Sequence, residues 1–174
     1  PQYSNWGGLN DATRNQEFTM GSASSDYTFG SALGTQEINT RASIYRPGTR
    51  ISMSGTNTNY SWRTMATHAS GMNNKGWAFV VSGSRRWANE GYFEGTDYLA
   101  NSLFVSVEKK INDKQSLNFT SIYAQNSRGK NSPNSQEIID LAGIKYNYYW
   151  GYQNGEKRNS RVKDVQEPIS ILSH

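Results

Sequence analysis

Trp77-Ala-Phe-Val-Val-Ser-Gly-Ser-Arg-Arg-Trp87, Leu103-Phe-Val-Ser-Val-Glu-Lys-Lys-Ile111 and Ser116-Leu-Asn-Phe-Thr-Ser-Ile-Tyr123 are the stretches whose reading decides the fold. Odd positions carry Trp77, Phe79, Val81, Leu103, Val105, Val107, Ile111, Leu117, Phe119 and Tyr123, while even positions carry Ser82, Ser84, Arg86, Ser106, Glu108, Lys110, Asn118 and Thr120. A period of two kept over such runs predicts strands with one side toward an apolar phase and the other toward a wet one. Val80, Phe104, Lys109 and Ile122 break the alternation. Asn112-Asp-Lys-Gln115 reads as a tight turn joining the last two strands.

Upstream, Arg50-Ile-Ser-Met-Ser-Gly-Thr56 alternates with Ile51 and Met53 on one side, and Tyr60 to Ser70 reads as a second strand with Tyr60, Trp62 and Ala66 facing the same way. Met72 to Gly76 is a short turn. Segments 88–101 and 126–163 are long, so short and long connections alternate, with Asn57 to Asn59 on the long side. That asymmetry is expected of an outer-membrane β-barrel with tight turns at one end and extended loops at the other. Strand 77–87 would then run outward, 103–111 inward and 116–123 outward. The second long segment contains a helix signal, with Ser135 before Gln136-Glu-Ile-Ile-Asp-Leu-Ala142 and Gly143 after it, and a sixth strand is expected to start at Ile169-Ser-Ile171.

Residues 1–48 lack sustained alternation and are punctuated by Gly7-Gly8, Gly21, Gly30, Gly34 and Gly48. Strand candidates lie at 17–21 and 35–44, and Pro47-Gly48 marks a boundary between this turn-rich unit and residues 49–174. Composition fits the same picture. The 174 residues are 34% hydrophobic yet 13% aromatic, with 11 Tyr and 5 Trp, and the mean hydropathy is −0.80. Aromatic-rich and core-poor suits a barrel with a polar interior and rings at the lipid boundary; it also suits a soluble sheet protein. No apolar run reaches the roughly 18 residues of a membrane helix, so a membrane reading requires strands.

The absence of cysteine removes disulfides, thiolate metal sites and thiol nucleophiles. The net charge of +4 is not gathered into a stripe with stacking aromatics, which argues against nucleic acid. His68 and His174 have no second ligand at metal spacing, and Glu90, Glu94 and Asp97 form a solvated loop rather than an acid–base pair, so neither a metal, a cofactor nor an enzymatic activity is expected.

Trp6-Gly-Gly-Leu-Asn-Asp-Ala-Thr-Arg14, Gly34-Thr-Gln-Glu-Ile-Asn-Thr-Arg41 and the run Lys75 to Phe93 resemble a TonB-dependent outer-membrane transporter. Ser106-Val-Glu-Lys-Lys-Ile-Asn-Asp-Lys114 and Asn154-Gly-Glu-Lys-Arg-Asn-Ser-Arg161 are similar to the branch with a carboxypeptidase-regulatory-like N-terminal domain. The resemblance covers essentially the whole chain. It implies an all-β fold in which residues 1–48 are the C-terminal part of a plug and residues 49–174 are the first five or six antiparallel strands of a barrel of about 22. At ~10 residues per strand, 174 residues cannot close such a barrel, and Pro1 is not preceded by a signal peptide, so the chain is expected to begin downstream of the natural start. The resemblance further implies the outer membrane of a Gram-negative bacterium, uptake of an extracellular nutrient (siderophore, glycan, peptide or vitamin), TonB contact through an upstream segment, and a surface lipoprotein as a further partner.

Several residues become candidates on this reading. Tyr92, Phe93, Tyr98, Tyr146, Tyr148, Tyr149, Trp150 and Tyr152 offer flat rings with polar tips for a solute at the outer mouth; the alternative is loop packing. Trp62, Trp77, Trp87 and Tyr123 are candidates for the lipid girdle. Arg41, Arg50 and Arg86 are candidates for pairing between plug and wall, against the alternative of solvated surface arginines. Two other functions stay open at the level of sequence: a small self-contained barrel or adhesin, and a soluble extracellular carbohydrate-binding module using the same aromatics.

Overall fold

A computed structural model describes residues 7–14, 16–22 and 32–174, the Asn10 side chain excepted. Trp6 and Gly30 lie outside the described residues. The order is α1 (Gly7–Ala12), β1 (Gln16–Thr19), β2 (Thr35–Ile38), a 3-10 turn (Ala42–Ile44), β3 (Gly48–Gly55), β4 (Trp62–Ala69), β5 (Trp77–Ala88), β6 (Tyr98–Lys110), β7 (Ser116–Gly129), α2 (Gln136–Ala142), β8 (Trp150–Gln153), β9 (Glu156–Asn159) and β10 (Val162–Ser173). The fold is mostly antiparallel β.

Six strands form one sheet in the order β10-β7-β6-β5-β4-β3, so β3 and β10 are its edges; β1-β2 and β8-β9 are separate hairpins. Register fixes which side chains share a face. Ala66, Gly83, Leu103 and Tyr123 lie in one row and Phe79, Val107, Phe119 and Leu172 in another, all on the side that no other element covers. The opposite face is covered by α1 and the 3-10 turn, which pack on β5, β6 and β7.

The alternation therefore holds, and its exceptions have a physical cause. Val80, Phe104 and Ile122 point to the covered face and join Leu9, Ala12, Ala42, Tyr45, Ala69 and Ala78 in the hydrophobic core. They are apolar because the N-terminal segment presses on them, whereas Thr67, Ser82, Ser106, Glu108, Asn118 and Thr120 on the same face are polar. Lys109, the fourth exception, lays its ammonium 5.0 Å from the Trp77 ring centroid and donates to the Lys75 carbonyl at 2.6 Å. Gly8 must be glycine for the closest part of this packing, since a Cβ there would stand 2.7 Å from the Leu103 carbonyl oxygen.

Strand lengths differ from the sequence expectation. β6 begins at Tyr98 and β7 runs to Gly129, because Asn101, Gln125 and Asn126 pair their backbones although they blur the apolar pattern. β10 starts at Val162, pairing with Gly129, rather than at Ile169. β4 is confined to 62–69; Trp62 and Ala66 share the open face, but Tyr60 lies before the strand with its ring 5.8 Å from Tyr98. α1 is a helix where the sequence suggested only turns. α2 forms at the expected bounds, with Gly143 at φ 91°, yet it is a surface helix whose Leu141 is 90% exposed.

Connections 70–76 and 111–115 lie at one end of the sheet, and 56–61, 89–97 and 130–161 at the other. No helix among the described residues is long and apolar enough to cross a membrane, which says nothing about strands.

Candidate functional site

Two polar constellations hold the N-terminal segment to the sheet. Asp11, buried at the end of α1, accepts hydrogen bonds from Arg63 Nη2 at 2.6 Å, from Arg86 Nη2 and Ser84 Oγ, and from Ser102 Oγ at 3.2 Å. Arg63 and Arg86 are directly opposed in the β4–β5 ladder, so one carboxylate bridges two like charges that would otherwise repel. Glu108 on β6 makes the reverse contact: its carboxylate meets Arg41 Nη1 at 3.3 Å and the Ser43 backbone N–H at 2.9 Å. Arg41 also donates to Ser116 Oγ, and Ser106 Oγ donates to the Thr40 carbonyl at 2.7 Å. An acid of the segment meets arginines of the sheet, and an acid of the sheet meets an arginine of the segment.

Of the three arginines selected from sequence, Arg41 and Arg86 are in these clusters, whereas Arg50 is exposed on the edge strand β3 and in none of the ion pairs. Their partners Asp11, Glu108 and Arg63 were not selected. Even parity pointed to Arg86, but a lone aspartate in Gly7-Gly-Leu-Asn-Asp-Ala12 carries no signal of its own.

The open face bears Ile51, Met53, Trp62, Trp77, Phe79, Val81, Leu103, Leu117, Phe119, Tyr123 and Leu172, all substantially exposed. Trp62 and Trp87 oppose each other at the loop end of β4 and β5, while Trp77 lies at the turn end. Tyr123 falls within the apolar field, opposite Leu103. A polar row of Thr64, Arg85, Asn101, Gln125 and Gln166 runs one register step short of the Trp62–Trp87 pair. Its members satisfy one another in part: Asn101 Nδ2 donates to Gln125 at 3.2 Å, and Arg85 lies 5.8 Å from the Trp87 ring. His68, also on this face, has Nδ1 2.8 Å from the Thr49 hydroxyl and packs on Phe79.

At the loop end, two asparagines tie the connections together. Asn147 is buried; its Nδ2 donates to the Glu94 and Lys130 carbonyls, and its Oδ1 accepts from the Ser132 and Tyr149 N–H groups. Asn159 Nδ2 donates to the Gly95 and Lys130 carbonyls. Gly95, at φ 63°, lies flat against Trp150: a Cβ would fall 2.2 Å from the indole. Glu90 is used structurally, accepting from the Gly95 N–H at 2.9 Å.

The aromatics selected from sequence separate into groups. Tyr92, Phe93 and Tyr98 line one cavity of about 380 Å³ together with Thr58, Asn59, Thr96, Asp97, Arg128, Gly129, Lys130 and Asn131. Trp150 lines a second, more open one with Lys157 and Arg158. Tyr146, Tyr148, Tyr149 and Tyr152 line neither. Among the loop aromatics, Tyr92, Trp150 and Tyr149 have a cation over one face, from Lys145, Lys157 and Arg161 respectively. The Tyr148 hydroxyl, hydrogen-bonded to that of Tyr149, is held above the usual tyrosine pKa chiefly by that bond. Among the described residues no group of three or more His, Cys, Asp or Glu side chains could hold a metal ion.

No protein-family model matches this chain, and no curated protein or solved structure is significantly similar to it.

Proposed function

We propose that the six-stranded sheet is a section of transmembrane barrel wall, that residues 1–48 are the end of a plug seated on its inner face, and that the two belong to an outer-membrane receptor for TonB-energised uptake of an extracellular solute. The carrying observation is the distribution of polarity: the uncovered face is a broad apolar field crossed by one polar row, whereas the face beneath the N-terminal segment buries Thr67, Ser82, Ser106, Glu108, Asn118 and Thr120 beside a small apolar core. A soluble sheet does the opposite, because exposed contiguous apolar surface is costly in water. A lipid-facing wall with a filled polar interior has this pattern.

The dimensions support the reading. Trp77 and Trp87 bound the same strand, and at ~3.3 Å per residue they are about 33 Å apart along it. A strand tilt of roughly 40–45° reduces this to about 25 Å along the membrane normal, the height of the apolar band of such barrels. The two longest connections, 89–97 and 130–161, both lie at the Trp87 end, which this reading takes as the outer side, with the Trp77 end periplasmic. In this reading the ion-paired Arg41 and Arg86 hold the plug end, the solute approaches the loop end, and a surface lipoprotein would meet the same outer loops. No covalent chemistry is assigned to the chain.

Quenching of tryptophan fluorescence by lipids brominated at different acyl depths tests this on single-tryptophan variants in bilayers. Trp77 and Trp87 should be quenched most by shallow labels on opposite sides. A protein that is monodisperse without detergent and unquenched by any bromolipid would overturn the wall assignment and favour a soluble binding module.

A further inference from the structure

Buried polar atoms without a partner are few among the described residues: Tyr45 Oη, Arg63 Nε, Asn126 Oδ1 and Arg128 Nε. Two of the four belong to successive covered-face positions of β7, Asn126 and Arg128, and these flank Tyr98 of β6. Tyr98 is Arg128's partner in the ladder, and its hydroxyl accepts from Asn126 Nδ2 at 3.2 Å. Such clustering calls for a local cause, since buried donors and acceptors are ordinarily satisfied.

Arg128 is also distinguished by having no counter-ion among the described residues. Arg41, Arg63 and Arg86, the other half-buried arginines turned toward the covered face, each meet a carboxylate within 4.0 Å, and Arg128 does not. Asp97 lines the same cavity, yet the two do not form an ion pair. With Lys130 on the rim, the cavity lining carries two cations and one anion. Its remaining wall is three aromatic rings and the polar side chains of Thr58, Asn59, Thr96 and Asn131. A guanidinium whose inner edge is already desolvated gains more from an anion than a solvated one does, and its planar fork fits a carboxylate.

We propose that this cavity of about 380 Å³ binds a ring-bearing monocarboxylate, with Arg128 meeting the carboxylate and Tyr92, Phe93 and Tyr98 packing against the ring. The volume lies within the range of small-molecule sites. Asp97 repels the carboxylate from its own side and accepts from a ring hydroxyl, which sets the ligand's direction. A sugar acid and a hydroxylated aromatic acid share this chemistry. The inference rests on the loops being solvent-facing, as the transporter reading has them, and needs no energised uptake.

The test is equilibrium binding to the purified protein in detergent, followed by intrinsic fluorescence and calorimetry, with glucuronate and 4-hydroxybenzoate as acid probes and glucuronamide and 4-hydroxybenzamide as their neutral counterparts. At least one acid should bind about tenfold or more tightly than its neutral counterpart, and the stronger acid identifies the source. Arg128→Gln should abolish that preference, Arg128→Lys should retain part of it, and Phe93→Ala should weaken acid and neutral probes alike. Equal binding of acid and neutral probes, an undiminished preference in Arg128→Gln, or no binding of either acid would each overturn the assignment. Failure here with intact bromolipid quenching removes the ligand class alone, whereas loss of quenching removes the transporter reading while leaving the binding result standing.

Discussion

Asp11→Asn isolates the link between the N-terminal segment and the sheet. The substitution keeps the side chain's shape and removes its charge, leaving Arg63 and Arg86 opposed across the β4–β5 ladder with no carboxylate between them. Removing one partner of a buried ionic cluster costs about 3–5 kcal/mol. The Arg63 and Arg86 side chains are 27% and 16% exposed, so solvent relieves part of that, and roughly 2–4 kcal/mol is expected. On the other side stands the burial of Leu9, worth about 1.5–3 kcal/mol, and a helix of only 6 residues, too short to persist alone. The two quantities are comparable, so the variant should release α1 while leaving the sheet intact. Hydrogen exchange read by mass spectrometry should show protection in residues 8–13 falling about 30- to 1000-fold, with β5, β6 and β7 unchanged. Adding Arg86→Leu should recover part of the loss. If protection in 8–13 is unchanged by Asp11→Asn, the ionic cluster does not hold the segment and apolar packing does.

Other perturbations address separate parts of the molecule. The Tyr45 hydroxyl is buried without a partner, and desolvation pushes its pKa up to about 12 against a modest lowering by Arg14. The folded state therefore keeps a proton that the unfolded chain has lost, and stability that is complete below pH 10 falls as pH rises toward 12; Tyr45→Phe should be as stable as the parent at pH 8 and more stable at pH 11 by thermal melting. Val81→Lys places a cation midway between Trp77 and Trp87 on the open face, which should cost about 2–4 kcal/mol in denaturant titrations in lipid vesicles but within ~0.5 kcal/mol for a water-exposed strand. Gly95→Val combines an unfavourable φ with a collision against Trp150, and should red-shift the emission of that tryptophan and cost ~1–3 kcal/mol. Asn147→Ala frees two carbonyls and two N–H groups and should raise exchange in 92–97 and 130–134 without affecting β4.

The central strands were legible because one face is uncovered and apolar while the other is packed under the N-terminal segment, and the side-chain period is two. Even the misfits carried information: Val80, Phe104 and Ile122 mark where the N-terminal segment lands. The strand ends were not legible, since Asn101-Ser102, Gln125 to Arg128 and Val162 to Pro168 place polar side chains on both faces, and only backbone pairing reveals them as strand. α1 was hidden by its two leading glycines and by owing its helicity to contacts with β5, β6 and β7. At the candidate site, the rings of Tyr92, Phe93 and Tyr98 were apparent as a class. Their separation from Tyr146, Tyr148, Tyr149 and Tyr152 depends on Asn147 and Asn159, whose side chains choose carbonyls on other loops and leave no local pattern.

The Asp11 cluster also imposes a chronology. Its partners lie 52, 73, 75 and 91 positions further along the chain, so the carboxylate has nothing to bind until β4, β5 and β6 are paired. Closing loops of that size is slow and is rewarded only once the far strands exist. The segment synthesised ahead of this sheet thus takes its shape after it, and until then the aspartate and the two arginines wait apart, each hydrated, although the strands are already assembled.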